Sequence, residues 1–162
     1  YYVWDNPLTQ ANHFVSTVGK WEVDDFPPIV DFEGHSFFNF RENKLDQSIP
    51  IERVQQELLQ FLESVKAKTG RLPIIYSNLS KANKYLSTAA FAEYPLWIAD
   101  PNNGLSAPHL PVNWKDKGWV LWQKGYVFVP NKGYKHTDFD EFNGNTFALK
   151  RFLRSTVLPQ GN

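Results

Sequence analysis

Two carboxylates, Asp31 and Glu33, stand two positions apart in the segment P-P-I-V-D-F-E-G at residues 27–34. The apolar residues before them predict a short strand over residues 29–33, and Gly34 suits a sharp turn or the close approach of a ligand. Side chains at i and i+2 of a strand share one face, about 6.5 to 7 Å apart. Two acids held together in a partly apolar setting acquire different pKa values, so one stays protonated while the other stays ionised. The pair is a candidate acid/base site, although an Asp and a Glu near a strand end also commonly cap a helix or face solvent.

The segments that position these carboxylates alternate between strand and helix patterns. Short apolar runs predict strands over residues 1–4, 29–33, 73–77, 95–99 and 119–123, and a last strand ending at Asp138-Phe139-Asp140. Helices are predicted from a cap at Thr9 to Gly19, over 50–69 with Gly70 as stop signal, over 80–90, and over 146–155 with Asn145 as cap. Residues 101–117 read as a long loop. This order favours a parallel sheet with crossover helices, hence an α/β layer or barrel in one domain spanning residues 1–162.

In an α/β barrel the working side chains lie at the carboxyl ends of the strands. The predicted strand ends carry Asp31 and Glu33, Tyr76 and Ser77, Trp97 and Asp100, Trp122 and Gln123, and Asp138 and Asp140. Carboxylates facing a cavity lined with Trp and Tyr are what glycoside hydrolysis requires, because one acid must protonate the leaving oxygen. The chain has six Trp, seven Tyr and thirteen Phe, most of which core packing explains equally well.

Composition excludes several other classes of protein. The chain has no cysteine, which rules out disulfides and thiolate chemistry, and its 17 basic and 17 acidic residues balance, which favours neither a nucleic-acid partner nor an anionic membrane. No apolar run approaches the roughly 20 residues that span a bilayer, so we expect a soluble protein without membrane insertion. Motifs of serine hydrolases, nucleotide-binding proteins and zinc proteases are absent, and we predict no metal and no cofactor. His35 and His136 lie near the carboxylate motifs and either tune them or have plain surface roles.

The order of motifs resembles that of the glycoside hydrolase family 25 lysozymes, which are muramidases that cleave peptidoglycan. Two segments have the same pattern as the family: Q-A-x-x-F at 10–14 and Y-P-L-W-I-A at 94–99. Three others are similar to it: Y-V-W at 2–4 where the family has Y-H-F, P-P-I-V-D-F-E at 27–33 where it has P-P-V-L-D-V-E, and P-I-I-Y-S at 73–77 where it has P-I-I-Y-T. The last two are W-Q at 122–123 where the family has W-Q-Y, and D-F-D-E-F-N-G at 138–144 where it has D-L-D-V-F-N-G. Seven blocks in the family order make the resemblance specific.

The resemblance implies an irregular, TIM-like β/α barrel with Glu33 as general acid, Asp31 beside it as electrostatic partner and Asp138 as a further catalytic acid. It also implies that a sugar groove is lined by Tyr2, Tyr76, Trp97, Trp122 and Gln123. Retention of configuration, assisted by the substrate's N-acetyl group, is the stereochemistry that the resemblance suggests.

The sequence also departs from the family pattern. The family opens with an Asp-bearing D-x-S strand and a strand reading roughly K-A-T-E-G, and neither occurs in this chain, which begins at Tyr1 rather than Met. The resemblance therefore implies a barrel that is incomplete at its N-terminus. Val3 stands where the family often has His, and Asp100-Pro101 stands where it often has Arg-Tyr, so we expect different substrate contacts there.

Together these patterns predict a monomeric peptidoglycan hydrolase that cleaves the β-1,4 bond between N-acetylmuramic acid and N-acetylglucosamine. We expect it outside the cell or at the cell wall, as a secreted protein or a phage lysin. One alternative is a catalytically weak wall-binding or structural module that keeps a lysozyme-like groove. Another is a chitinase-like barrel glycosidase, although the fuller D-x-x-D-x-D-x-E signature of that group is absent from the sequence.

Overall fold

A mixed five-stranded sheet forms the centre of the computed structural model, which describes residues 1–101, 104–127 and 137–159. The strands are β1 Ile29–Asp31, β2 Phe38–Asn39, β3 Lys44–Leu45, β4 Ile74–Asn78, β5 Leu96–Ala99, β6 Leu121–Val127 and β7 Thr137–Phe142. The sheet has the order β1-β4-β5-β6-β7, while β2 and β3 form a separate antiparallel hairpin. The predicted α/β class is confirmed.

Strand direction agrees with the prediction across β1, β4, β5 and β6, which pair in parallel. The prediction is wrong for β7, which runs antiparallel to β6. The stretch 128–136 between them, which lies outside the described residues, is shorter than the dozen or more residues that a parallel crossover needs. Asp138 and Asp140 consequently lie within β7 rather than at its end. Among the described residues, the edge strands β1 and β7 are not paired with each other.

The described part of the chain has four α-helices, α1 Pro7–Val18, α2 Ile51–Thr69, α3 Leu79–Tyr85 and α4 Thr146–Ser155. Short 3₁₀ turns occupy Gly34–Phe37, Ala89–Glu93 and Val112–Trp114. Helix α2 begins and ends as predicted, because Gly70 adopts a left-handed φ of 64° that closes the helix. Helix α4 has the predicted cap, since Asn145 Oδ1 accepts a hydrogen bond from the backbone nitrogen of Ala148 at 2.9 Å.

Three local predictions need correction. Residues 1–4 form no strand, because the chain turns at once into α1 and Asp5 N donates to Tyr2 O at 3.3 Å. The cap of α1 is Asn6 rather than Thr9, since Asn6 Oδ1 accepts from Thr9 N at 2.9 Å and Pro7 takes the first helical position. The helix predicted over 80–90 ends at Tyr85 and is followed by a separate 3₁₀ turn.

Side chains along the strands point alternately to the core face of the sheet and to the face that carries the candidate site. On the core face, Val30 lies in register with Ile75, and Ile98 with Trp122, and all four are buried against the helices. Helix α2 contributes Val54, Leu58, Leu62 and Val65 to the same core. The intervening positions face away from the helices and carry the side chains of the candidate site. No helix in the described part of the chain has the length and apolarity needed to cross a bilayer.

Candidate active site

An open pocket of about 350 Å³ lies on the polar face of the sheet, towards the carboxyl ends of its parallel strands. Its lining residues are Ile29, Asp31, Glu33, Tyr76, Trp97, Gln123, Asp138 and Asp140. The structure therefore brings together all three predicted catalytic acids and three of the five predicted sugar-binding residues.

Register explains why these side chains meet. Asp31 of β1 lies opposite Tyr76 of β4, and Tyr76 lies opposite Trp97 of β5, so all three point to one face. Gln123 and Asp140 face each other across the antiparallel pair β6 and β7. Paired residues in neighbouring strands project on the same side of a sheet, which brings side chains of all five strands into one pocket.

Glu33 lies two residues beyond the last residue pair of β1, and its backbone remains extended with φ −144°. Between the two acids, Phe32 N donates to Tyr76 O at 2.9 Å and Phe32 O accepts from Ser77 Oγ at 2.7 Å. After them, Ser36 Oγ accepts from Glu33 N at 3.1 Å. These bonds hold the backbone so that Asp31 and Glu33 both face the pocket while Phe32 is fully buried.

The pocket makes Glu33 harder to ionise than an ordinary glutamate. Partial desolvation raises its pKa most, and the negative charges of Asp31 and Asp138 raise it further, whereas His35 opposes the shift. Partial desolvation also raises the pKa of Asp31, and His35 again opposes. The effect of His35 agrees with the tuning role considered from the sequence; His136 lies outside the described residues. A carboxyl group with a raised pKa next to a second acid is suited to donating a proton.

Two hydrogen bonds fix an aromatic platform beside the acids. The rings of Tyr76 and Trp97 meet edge to face with centroids 5.1 Å apart. Tyr76 Oη donates to Gln123 Oε1 at 2.9 Å, and Trp97 Nε1 donates to Asp140 Oδ1 at 2.9 Å. Each ring is thus anchored to the strand pair β6 and β7, which keeps the platform in place for a ligand.

The sequence places Asp140 at a predicted strand end but assigns it no role in the site. It lines the pocket and holds Trp97, and partial desolvation and the charge of Asp138 raise its pKa while the Trp97 hydrogen bond opposes. The signal for it was present in the sequence, because Asp138 and Asp140 have the same i, i+2 spacing in a strand as Asp31 and Glu33.

Two predicted sugar-binding residues lie elsewhere. Trp122 is completely buried, and its Nε1 donates to Asp100 O at 2.9 Å, so direct contact with a sugar does not fit the structure. Neighbours in a strand point to opposite faces, and Gln123 takes the pocket face, which leaves Trp122 on the core face. Tyr2 lines an adjoining pocket that shares Ile29 and Asp31 with the pocket that holds the three acids.

The described residues contain no group of three or more His, Cys, Asp or Glu side chains arranged to hold a metal ion. The acids of the pocket instead lie around aromatic rings and an amide. What this arrangement can do chemically is donate a proton from one carboxyl group, stabilise positive charge with the others and support an apolar ring face.

Solved structures of glycosidases resemble this fold. The muramidase from Acremonium alcalophilum is 24% identical, with a TM-score of 0.73 over 93% of this chain and 68% of that one. The bacterial lysozyme from Streptomyces coelicolor is 25% identical, with a TM-score of 0.71 over 94% of this chain and 68% of that one. The structural likeness supports the same α/β architecture.

Sequence comparison adds a curated relative and a family. The chain is 28% identical over 153 residues to the uncharacterized protein YegX of Escherichia coli K12; the match covers 89% of this chain but 46% of YegX, about half its length. The sequence profile described as Glycosyl hydrolases family 25 matches residues 1–126, more than three quarters of the chain. This match confirms the resemblance found in the motifs, and the chain belongs to glycosyl hydrolase family 25.

Proposed function

We propose that the chain is a peptidoglycan hydrolase that cleaves the β-1,4 bond between N-acetylmuramic acid and N-acetylglucosamine, with residues 1–162 forming one catalytic domain. The observation that carries the proposal is a single pocket holding Asp31, Glu33 and Asp138 beside the rings of Tyr76 and Trp97. Family membership and the likeness to a muramidase and a lysozyme support it.

In the proposed first step, Glu33 is protonated and transfers its proton to the glycosidic oxygen as the bond from that oxygen to C1 breaks. The carbonyl oxygen of the substrate's own N-acetyl group attacks C1 from the opposite face and forms a cyclic oxazolinium ion. The negative charge of Asp31 stabilises the positive charge that develops on the sugar. Asp138 adds negative charge to the same pocket.

In the second step, a water molecule attacks C1 on the face that the leaving group vacated. Glu33, now ionised, accepts a proton from that water, and the C1–oxygen bond of the oxazolinium opens to restore the N-acetyl group. Two displacements at C1 give net retention of configuration. Glu33 is returned to its protonated form, ready for the next cycle.

Digestion of purified, insoluble peptidoglycan tests the proposal. Wild-type protein should release soluble glycan fragments, and chitin treated in the same way should release none. Sedimentation of the protein with the same peptidoglycan measures binding separately from cleavage. Binding without release of fragments would contradict hydrolysis and favour a wall-binding module that keeps the groove.

We expect the pH dependence of cleavage to follow the raised pKa values of the two acids. Glu33 must be protonated, and its raised pKa extends activity above the pH at which an ordinary glutamate loses its proton. Asp31 must be ionised, and its raised pKa moves the acid limb of the pH profile to higher pH as well. The profile of kcat/KM against pH should be a bell in the acidic range. Activity that rises steadily through pH 8 would contradict the assignment of Glu33 as the proton donor.

Asp140→Ala is expected to weaken substrate binding, because Trp97 loses the acceptor of its indole N–H. A net hydrogen bond contributes about 0.5 to 1.5 kcal/mol, so KM for soluble glycan fragments should rise about 2- to 10-fold. Asp140→Asn is the matched control, since its amide oxygen still accepts from Trp97 Nε1, and its KM should stay within about twofold of wild type. Equal losses in both variants would mean that charge, rather than the hydrogen bond, is what Asp140 supplies.

A further inference from the structure

The hairpin of β2 and β3 carries a group of aromatic side chains that the proposed reaction does not use. Phe40 is 59% exposed, and its ring meets Tyr2 edge to face at 4.8 Å and Phe38 edge to face at 4.9 Å. We call Tyr2, Phe38 and Phe40 the hairpin cluster. Phe38 belongs to β2 and Phe40 to the turn after it, and the contact between their rings places them together.

This cluster lies close to the catalytic acids along the chain. Only the 3₁₀ turn Gly34–Phe37 separates Glu33 from Phe38, the first residue of the hairpin. Val3 N donates to Ser36 O at 2.9 Å, which ties the segment carrying Tyr2 to the same turn. The hairpin cluster is therefore joined to Glu33 by one short connection, in which Ser36 and Phe37 are buried.

The cluster also lies on the opposite side of Asp31 from the aromatic platform. β4, which carries Tyr76, pairs with one edge of β1, and the main-chain nitrogen of Tyr1 donates to Asp31 O at 3.3 Å from the other edge. Tyr2 then lines the pocket that shares Ile29 and Asp31 with the catalytic pocket. Tyr2 thus lies on one side of Asp31, and Tyr76 of the aromatic platform lies on the other.

Several hydrogen bonds hold the cluster rigid. Trp4 Nε1 donates to Asp46 O at 3.0 Å, which fixes the end of the hairpin. Gln10 accepts from Tyr2 N at 2.8 Å through Oε1 and donates to Tyr2 O at 2.9 Å through Nε2. A ring whose backbone is already ordered loses little further entropy when a ligand stacks on it.

We propose that Tyr2, Phe38 and Phe40 form a second sugar-stacking surface, which extends the contact with a glycan chain beyond the catalytic pocket. The inference rests on the proposed function and adds to it the side chains that hold the more distant sugar rings. A sugar ring presents an apolar face that an exposed aromatic ring can cover. Three side chains fall far short of the 20 to 30 residues that a stable protein interface uses on each side, so a narrow glycan is the occupant that fits.

Calorimetric titration in a Glu33→Gln background separates binding from cleavage. Phe40→Ala should weaken binding of long soluble peptidoglycan glycans about fivefold, the loss of one stacked aromatic contact, and affect a disaccharide less than about twofold. Leu45→Ala is the matched control, because Leu45 is 57% exposed on the same hairpin but has no ring, and it should leave both affinities unchanged. Phe40→Trp should keep the affinity for long glycans.

The proposal is overturned if Phe40→Ala binds long glycans as tightly as its parent, or if Leu45→Ala weakens binding equally. Self-association of the wild-type protein that Phe40→Ala abolishes would assign the cluster to a second copy and would also overturn it. A wild-type protein that binds long glycans through Phe40 but cleaves none would refute the proposed hydrolysis and leave this surface standing. If the wild-type protein cleaves peptidoglycan but Phe40→Ala binds long glycans and the disaccharide as its parent does, the proposed hydrolysis stands and this surface is refuted.

Discussion

Glu33→Gln is expected to lower the rate of peptidoglycan cleavage by about 10²- to 10⁴-fold, the range that a positioned general acid contributes. The amide cannot donate a proton to the leaving oxygen, and it cannot accept one from water in the second step. Its size and shape match the carboxyl group, so glycan binding should persist. Release of soluble fragments from purified peptidoglycan under saturating substrate measures the loss.

Two controls make this result specific. Glu93→Gln removes a carboxylate from an exposed ion pair with Lys117 and should cleave like wild type. Thermal unfolding at pH 7 should show Glu33→Gln at or above the wild-type melting temperature. The pKa of Glu33 is raised on folding, so its protonated form stabilises the fold at low pH and this contribution is lost as pH rises through the folded pKa. Cleavage by Glu33→Gln within about twofold of wild type would refute the role of this residue.

Asp31→Asn is expected to lower kcat by about 10²-fold, because the pocket loses a negative charge that stabilises the developing positive charge. It should also move the alkaline limb of the pH profile downward. The charge of Asp31 helps to raise the pKa of Glu33, so removing that charge lowers this pKa. Kinetic profiles of both proteins between about pH 3 and 8 measure the shift.

Asp138→Asn is the matched comparison for this second variant. The charge of Asp138 raises the pKa of Glu33 less than the charge of Asp31 does. The alkaline limb of the Asp138→Asn profile should therefore also move to lower pH, but by less than that of Asp31→Asn. A fall in kcat for Asp31→Asn with no movement of the alkaline limb would mean that the charge of Asp31 does not affect the pKa of Glu33. An alkaline limb that moves upward would contradict the proposed electrostatics altogether.

Local signals in the sequence predicted the helices and parallel strands well where a few residues settle the conformation. Apolar spacing and Gly70 define α2, and Asn145 defines the start of α4. The apolar runs around Ile75 and Ile98 became buried strands of the parallel sheet. In each case the deciding interaction is a cap, a backbone conformation or a continuous apolar run, all of which are visible in one short window.

Other features depend on distant partners and could not be read in this way. Residues 1–4 have the composition of a strand, but they form no strand ladder, because Tyr1 N bonds to Asp31 O at the edge of β1 while Val3 N bonds instead to Ser36 O. The direction of β7 follows from the length of the stretch before it, which the apolar pattern does not report. In both cases the available tertiary contacts override the local propensity to form a strand of the predicted kind.

The candidate site shows the same division. Spacing at i and i+2 placed Asp31 and Glu33 together, and the structure puts both in one pocket. The same rule, applied to adjacent residues, separates Trp122 from Gln123 and explains why only Gln123 reaches the pocket. It also identifies Asp140, whose bond to Trp97 depends on the pairing of β6 and β7 and therefore on the whole sheet.

The most direct measurement is the chemical identity of the new reducing ends that wild-type protein creates in purified peptidoglycan. Borohydride reduction after digestion, followed by acid hydrolysis and sugar analysis, converts each new end into an identifiable alcohol. We predict muramicitol, because cleavage should occur on the reducing side of N-acetylmuramic acid, and we predict at least about 100-fold less of it from Glu33→Gln in the same time. Glucosaminitol in its place, or equal muramicitol from wild type and Glu33→Gln, would contradict the proposed function.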